Sequence, residues 1–292
     1  MAQVSAASSK SAVRPHAPPV AKVDISIVVP CFNHGLYLAE AIASAQACHS
    51  PCCEVIVVND GSDDPATVIA LEDVRRDGMH VIDQPNLGPA AARNAGIAAS
   101  RGRYILPLDA DNRLRPRYPL VGAQVLDRNP EVGIVYGDSG LFGEQAGLRR
   151  PGPFDLSRLL RGNYIDTCAV FRREIWEDAG GYQTATELWE DWDFWLTAAE
   201  RGYGFHYVPE VLFDYRIRAD APSSQRNSAV WRAQREVIVT RHAALFNGGR
   251  RGLRHYVAAR DPAFYGRVTD WKQAVQGWLP GRLRRVPGRY GS

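Results

Sequence analysis

The chain has 292 residues, of which 45% are hydrophobic and 23% are charged, a composition typical of a globular protein with a substantial core. No segment approaches the roughly 18 consecutive apolar residues that a membrane-spanning helix needs, and residues 1–22 lack the apolar centre of a secretory signal, so we expect a disordered leader there. The five cysteines are odd in number and form no CxxC pair, which argues against a disulfide framework and a zinc site and fits a cytoplasmic location.

Charge is divided unevenly along the chain. Residues 226–292 contain 14 basic and 3 acidic side chains, whereas the rest contains 21 basic and 29 acidic ones. We therefore expect cation chemistry in the acidic part and an anionic surface as a partner for the basic part.

The first 110 residues alternate between β-branched segments and helical segments. The predicted strands are 24–30, 54–58, 79–83 and 103–108, and the predicted helices are 35–47, 65–75 and 88–102. In the first helix, Leu36, Ala39, Ile42 and Ala43 are expected to share a face. Pro107 should lie near a strand end or on an edge. This alternation predicts right-handed βαβ units and an α/β fold with a mostly parallel sheet.

The regular alternation of strands and helices ends after residue 113. The predicted elements are helix 117–128, strand 132–138, strand 168–172, helix 173–181, a strongly amphipathic helix at 187–202, and two strands within 203–218 that meet at Pro209-Glu210. From Arg226 the chain reads as helical and is then interrupted by Gly and Pro.

Polar residues follow each of the first four strands, in "PCFN", "NDGSDD", "DQPNLG" and "DADN". Open α/β sheets bind ligands at the carboxyl ends of their strands. A single Asp there would be a turn former, but four polar ends together indicate a binding site.

With these segments the sequence resembles family 2 glycosyltransferases, which have the GT-A fold. The segments that carry the resemblance, in family order and spacing over roughly residues 23–218, are "ISIVVPCFNHGLYLAEAIASA", "EVIVVNDGSDD", "NLGPAAARNAG", "YILPLDADN" and "ELWEDWDFWL". The resemblance implies a GT-A domain at 23–222, with a central sheet flanked by helices, and leaves 223–292 as a basic helical extension.

Asp109 and Asp111 match the family's DxD motif. A leaving diphosphate needs a hard cation, and Mn²⁺ or Mg²⁺ prefers carboxylate oxygens. The resemblance implies that Asp111 ligates the metal, while Asp109 contacts the ribose or shares the ligation. An Asx turn that closes the strand is the alternative.

The resemblance also assigns the remaining donor contacts. Asp60 matches the position that hydrogen-bonds the base, where an acceptor suits uracil, thymine or guanine, although Asp60-Gly61 also fits a turn. Phe32 would stack on the base and Pro30 would shape the pocket floor. Asp63 and Asp64 are expected to cap the following helix.

Three arginines are candidates for the phosphates. Arg93 would reach a phosphate or the ribose, because a guanidinium can donate two parallel hydrogen bonds; a solvated surface arginine is the alternative. Arg216 and Arg218 fall in a family stretch near the diphosphate. Ser223, Ser224 and Arg226 are candidates for a loop that closes over the donor.

Glu190-Asp191 match the family's ED motif, which supplies the general base. We expect Asp191 to be the base and Glu190 to contact the acceptor, with Asp193 as the rival base and stabilisation of the helix dipole as the alternative role. Trp189, Trp192 and Trp195 would surround the acids, raise the base's pKa and stack on sugar rings.

The expected function is inverting, metal-dependent transfer of one sugar from a nucleoside diphosphate sugar, with UDP favoured, to a hydroxyl of a glycan, lipid-linked or protein acceptor, in bacterial-type surface glycan synthesis. No QxxRW motif of processive relatives occurs, which favours single transfer. The alternatives are a non-catalytic GT-A-like scaffold and a nucleotidyltransferase. The basic extension is expected either to bind an anionic membrane on its cytoplasmic side or to pack on the domain; nucleic acid is not expected.

Overall fold

The computed structural model describes residues 24–48, 52–186, 189–219 and 229–247. The strands of this part are β1 (Ile25–Cys31), β2 (Cys53–Asp60), β3 (His80–Gln84), β4 (Tyr104–Pro107), β5 (Arg113–Leu114), β6 (Val132–Gly143), β7 (Gly147–Arg149), β8 (Val170–Arg172) and β9 (Gly204–Ile217). The helices are α1 (Gly35–Gln46), α2 (Pro65–Arg76), α3 (Pro89–Ala99), α4 (Tyr118–Arg128), α5 (Leu156–Arg161), α6 (Arg173–Ala179), α7 (Glu190–Glu200), α8 (Ala229–Arg241) and α9 (Ala243–Asn247). A 3₁₀ turn covers Thr184–Thr186.

All the described strands join one sheet in the order β3-β2-β1-β4-β8-β6-β9-β5, with β7 added beside β6. The strands β3, β2, β1 and β4 are parallel to one another. From β4 onward the pairing is mixed, because β8 runs antiparallel to both β4 and β6. The predicted parallel half is therefore confirmed, and its carboxyl ends lie along one edge. In the second half β6 and β9 are parallel to each other, and β8, β7 and β5 run antiparallel to their neighbours.

Helices cover both faces of the sheet. Ile27 and Val29 of β1 face α1, α2 and α4, whereas Val28 faces the opposite layer, to which α3 and α7 belong. This alternation follows from the two-residue period of a strand, and burial on both sides explains why the parallel strands are apolar throughout. At Gly96 an added Cβ would lie 2.4 Å from Val28 Cγ1, so the glycine lets α3 pack directly on β1.

Two predicted helix faces are wrong. In α1 the buried residues are Leu38, Ala41, Ile42 and Ala45, while Leu36 is 82% exposed; the buried set has the better i, i+3, i+4, i+7 spacing. The helix α7 is buried nearly all round rather than amphipathic, since its residues from Trp192 to Ala199 are all buried. The reason is that α7 packs between the sheet and the C-terminal helices.

The two strands expected within 203–218 form a single strand, β9. Its register against β6 moves from Gly137↔Val208 to Asp138↔Val211, so Pro209 and Glu210 form a bulge, a position where proline costs no ladder hydrogen bond. Pro107 ends β4 as predicted. The short elements β5, β7 and α5 were not predicted, because each is too brief to show a period.

The basic extension begins with α8 and α9, as predicted. The leader 1–22, the loop residues Ser223, Ser224 and Arg226, and the extension beyond Asn247 lie outside the described residues. Among the residues the structure describes, no helix is long and apolar enough to cross a bilayer.

Candidate functional site

The loops after β1 and β2 are joined by Asn33. Its Nδ2 donates to Asp63 Oδ1 at 2.7 Å, and its Oδ1 accepts from the backbone N–H groups of Asp63 and Asp64 at 3.0 Å. Asn33 has φ 54°, a left-handed conformation that Asn tolerates. Asp64 caps α2 by accepting from Thr67 N, as predicted. The neighbouring Phe32 is 40% exposed, so its ring is open to a ligand.

Asp60 is 3% exposed and holds the loop between β3 and α3. Its carboxylate accepts from Gln84 Nε2 at 2.7 Å and from the backbone N–H groups of Leu87 and Gly88 at 2.9 Å. Gly61 follows with φ 72°, where an added Cβ would lie 2.5 Å from Asn86 N. The positive φ of Gly61 suits a turn, but both the turn at Asp60-Gly61 and the contact of Asp60 with a nucleotide base stay predictions. Pro30 is half-buried beside Val58 on β2.

The turn after β4 carries Asp109 and Asp111. A backbone hydrogen bond from Asn112 N to Asp109 O, 2.9 Å long, closes the turn, so no Asx side chain is needed for it. Asp111 Oδ2 lies 3.1 Å from Arg218 Nε. Burial and the nearby Asp109 raise the pKa of Asp111 to about 6, although Arg218 acts against them.

Arg93 is only 4% exposed and bridges two carboxylates. Its Nη2 donates to Asp109 Oδ1 at 2.7 Å and its Nη1 donates to Glu190 Oε1 at 2.5 Å. The alternative of a solvated surface arginine is therefore wrong. Arg93 connects the carboxyl end of β4 to the start of α7. It therefore joins the segment with the DxD motif to the segment with the ED motif.

The end of β9 supports the same turn. The Nε of Arg216 donates to Asp111 O and its backbone N–H donates to Asn112 Oδ1, both at 2.9 Å. The Arg216 guanidinium lies 4.5 Å from the Tyr37 ring centre and 4.3 Å from that of Phe142. Arg216 is thus fixed by two rings and the turn, and of the two arginines Arg218 is the one whose guanidinium faces the Asp111 carboxylate.

Asp191 lies at the start of α7 in a cavity of about 550 Å³. Asn163 Nδ2 donates to its Oδ2 at 2.7 Å. Burial raises the pKa of Asp191 well above its usual range, and the neighbouring Glu190 raises it further. Its Oδ1 also accepts from Trp192 N at 2.7 Å, so the carboxylate contacts the first turn of the helix as well as the cavity.

The other acid and two of the tryptophans point elsewhere. Asp193 is 1% exposed and lies 3.0 Å from His242 Nε2, outside the cavity lining, which removes it as the rival base. Trp192 and Trp195 are fully buried and donate to the carbonyls of Leu159 and Ile165. Sugar stacking by these two rings is therefore wrong, whereas Trp189 does line the cavity.

The carboxylates can be tested for their fit to a metal. Among the described residues, no group of three or more His, Cys, Asp or Glu side chains is placed to hold an ion. Asp109 and Asp111 each face an arginine. Mg²⁺-type ions are commonly bound by one or two carboxylates plus substrate phosphates. The two aspartates therefore fit a cation that arrives with a diphosphate, and do not fit one that the protein holds alone.

Several residues that line the cavity were not predicted from the sequence. Asn163 and Asp166 lie on the loop between α5 and β8. Arg149 lies on β7, Arg150 follows that strand, and Arg158 lies on α5. Burial and Asp109 raise the pKa of Asp166 to about 6. No periodic pattern or motif marks these positions, since they come from irregular connections.

The comparison with protein families matches residues 26–180 to the model of glycosyl transferase family 2. The succinoglycan biosynthesis protein ExoO of Rhizobium meliloti is 37% identical over 168 residues, which cover 54% of this chain and 46% of that protein. The uncharacterized protein MT1568 of Mycobacterium tuberculosis is 30% identical over 218 residues, 66% of each chain. The chain spans about half the length of ExoO and 22% of y4gI of Sinorhizobium fredii.

Solved structures share the fold at low sequence identity. S. aureus TarS 1-349 in complex with UDP-GlcNAc superposes with a TM-score of 0.60 at 17% identity, covering 82% of each chain. The mannosyltransferase PcManGT from Pyrobaculum calidifontis, in complex with GDP-Man and Mn²⁺, gives a TM-score of 0.56 at 20% identity, covering 77% of this chain and 64% of that one. These likenesses establish a GT-A fold.

Proposed function

The chain belongs to glycosyl transferase family 2, and from this membership we propose that it transfers one sugar from a nucleoside diphosphate sugar to a hydroxyl group, with inversion. The observation that carries the proposal is a single cavity. Asp109 of the DxD motif and Asp191 of the ED motif both line it, and Arg93 connects the two sides. A donor and an acceptor bound in this cavity would meet between them.

Asp191 would remove the proton of the acceptor hydroxyl as the hydroxyl attacks the anomeric carbon. A carboxylate whose pKa is raised by burial is a better base near neutral pH than an exposed one. The hydrogen bond from Asn163 fixes the orientation of the carboxylate. Glu190, held by Arg93, would contact the acceptor rather than take the proton, because its accepting oxygen is already paired.

On the donor side, Asp60, Phe32 and Pro30 would surround the base, and a uracil base suits the acceptor oxygens of Asp60. Arg218 would move from Asp111 to the diphosphate when the donor binds. Asp111 and Asp109 would hold Mn²⁺ or Mg²⁺, which neutralises charge on the leaving diphosphate when it is bound. Arg93 would act here by holding Asp109 in place.

We place the reaction in bacterial surface glycan synthesis, since ExoO carries that kind of name. The segment beyond residue 225 contains 14 basic residues. Anionic lipids at the inner face of the plasma membrane attract such a segment, so the protein would work there.

The experiment is a donor screen. The full chain is incubated with UDP-, GDP- and dTDP-sugars and Mn²⁺, and nucleotide release is measured with and without simple sugar acceptors. We expect acceptor-stimulated release from a UDP-sugar. A scaffold would show neither turnover nor metal-dependent nucleotide binding in calorimetry, and a nucleotidyltransferase would instead release pyrophosphate from a nucleoside triphosphate.

A further inference from the structure

Three arginines border the cavity and have no part in the proposed transfer. Arg149 ends β7, Arg150 follows it, and Arg158 lies on α5. The side chains of Arg149 and Arg150 are 39% and 67% exposed, and Arg158 is exposed as well. Three guanidinium groups at the mouth of one cavity repel one another unless anions offset their charge.

Protein carboxylates offset this charge only weakly. Within the described residues, Arg158 has no carboxylate within ion-pair distance; its Nη1 donates to Pro151 O and it stacks on the Tyr164 ring. The partner of Arg150 is Asp138 at 3.7 Å, a separation that contributes little at an exposed site. Arg149 lies 3.4 Å from Asp166. The Arg158 guanidinium stacks on Tyr164, 4.0 Å from the ring centre. This contact holds the N–H groups of Arg158 in place before a ligand binds.

The position of these arginines indicates the acceptor side. One loop, residues 162–167, connects them to the proposed base: its Asn163 donates to Asp191, its Tyr164 lies under Arg158, and its Asp166 faces Arg149. The proposed donor-binding loops instead follow β1, β2 and β4, and of these the β4 loop reaches the cavity through Asp109. A group bound by the arginines would therefore be part of the molecule whose hydroxyl reaches Asp191.

We propose that the acceptor of this protein is anionic, and that Arg150 and Arg158, with Arg149 beside them, bind its carboxylate or phosphate group. This inference rests on the proposed function and specifies its acceptor class. A planar guanidinium donates two parallel hydrogen bonds to either anion. Four acids line the cavity. Asp109 and Glu190 are paired with Arg93 and Asp166 faces Arg149, so Asp191, the proposed base, is the one of the four without an arginine partner among the described residues.

The test uses three acceptors that differ only in the group at C6: p-nitrophenyl β-D-glucoside, the corresponding glucuronide, and the corresponding 6-phosphate. Their affinities for the full chain, saturated with UDP and Mn²⁺, are measured by calorimetry. We expect at least one acidic compound to bind about tenfold more tightly than the glucoside, the gain typical of one charge-assisted contact. The carboxylate and phosphate arms show which anion is preferred.

Arg150→Gln and Arg158→Gln should each reduce this preference, and the double variant should abolish it. Arg161→Gln is the matched control, because Arg161 is also exposed on α5 but does not line the cavity. Arg158→Lys should restore part of the preference. Unchanged thermal unfolding would show that the variants are folded.

Equal affinity for the neutral and acidic compounds, or a preference that survives in the double variant, would overturn the inference. An equal loss of the preference in Arg161→Gln would also overturn it, because it would indicate an effect of the total charge of the protein. A preference for UDP-glucuronic acid over UDP-glucose, without any preference among the acceptors, would overturn it too. UDP binding is measured separately. If UDP does not bind, the proposed function has failed; if it binds without any acidic preference, only this inference has failed.

Discussion

At the scale of single residues, the site depends on buried charges that are paired with one another. Arg93 is the centre of this network because one guanidinium serves both Asp109 and Glu190. Desolvation of a charge costs several kcal/mol and is offset only by good geometry. A surface helix would not need such a residue, so the burial of Arg93 indicates that it fixes the positions of the two carboxylates.

Replacing Arg93 by Met should destabilise the protein by about 3–5 kcal/mol, because it leaves the buried Glu190 and the partly buried Asp109 without a counter-charge. Chemical denaturation measures the free energy of unfolding. Arg75→Met is the control, since the Arg75–Asp83 pair is 38% and 60% exposed and should contribute at most about 1 kcal/mol. Equal losses in the two variants would contradict the network.

Asp191→Asn should abolish sugar transfer and leave UDP binding unchanged, because the amide keeps the shape of the side chain but cannot accept the hydroxyl proton. Steady-state kinetics and calorimetry measure the two properties. Asp193→Asn is the comparison: it should lower the melting temperature while the kcat of the folded protein stays near the wild-type value. Full transfer by a clean Asp191→Asn preparation would remove Asp191 as the base.

At the scale of elements, α7 combines two tasks. Its first turn presents Asp191 to the cavity, and the rest of the helix is packed between the sheet and the C-terminal helices. His242, 1% exposed, lies between Asp193 and Glu200 of α7, at 3.0 and 2.9 Å, and Arg241 lies 3.3 Å from Asp193. The C-terminal helices thus support the element that carries the proposed base.

His242 should make this support dependent on pH. Burial lowers the pKa of His242, but hydrogen bonds to Asp193 and Glu200 outweigh it and raise the pKa to about 8, above the usual 6.5. The folded protein therefore binds the proton more tightly than the unfolded chain. The resulting stabilisation, about 2 kcal/mol, is fully present below about pH 6.5 and is lost as the pH rises through about 8.

The free energy of unfolding of the wild type and of His242→Gln is measured between pH 6 and 9, at intervals of about one pH unit. The difference between the two should shrink by about 2 kcal/mol across this range. His206→Gln is the control, since His206 is exposed on β9. A difference that does not change with pH would mean that the pKa of His242 is the same in the folded protein and in the unfolded chain.

At the scale of the whole molecule, the two halves of the sheet divide the work. The parallel strands β1, β2 and β4 carry the proposed donor loops at their carboxyl ends, and the half that contains β7, α5 and α7 forms most of the cavity. The turn at Asp109–Asp111 lies where the two halves meet. A ligand that spans both halves therefore completes the site.

Metal binding should consequently depend on the nucleotide. We expect Mn²⁺ alone to bind weakly, and UDP to bind about tenfold more tightly with Mn²⁺ than with a chelator present, because the phosphates supply the missing ligands. Calorimetry measures both. Asp111→Asn should remove the gain, whereas Asp83→Asn, which changes an exposed carboxylate on the edge strand β3, should keep it. UDP affinity that ignores the metal would contradict the assignment.

The sequence by itself determined the parallel half of the sheet and the segments that would carry the site. Continuous apolar strands, each followed by Asp, Asn or Gly, encode local structure and its turns, and such signals are contained in a few neighbouring residues. That is why the turn with Asp109 and Asp111 was expected after a buried strand, and why the limits of β1, β2 and α2 were predicted to within a few residues. Asp191 was instead chosen through the resemblance to the ED motif.

Only the tertiary structure decided which partners these residues have. Arg93 is 16 residues from Asp109 and 97 from Glu190, and Asp193 is 49 from His242; no periodicity connects positions so far apart. The same holds for Trp192 and Trp195, which are core residues because α7 is covered on both sides, and for the arginines around the cavity, which come from connections without a pattern. Contacts of this kind depend on how the sheet and helices pack, and they determine whether a charged residue is solvated, paired or aimed at a ligand.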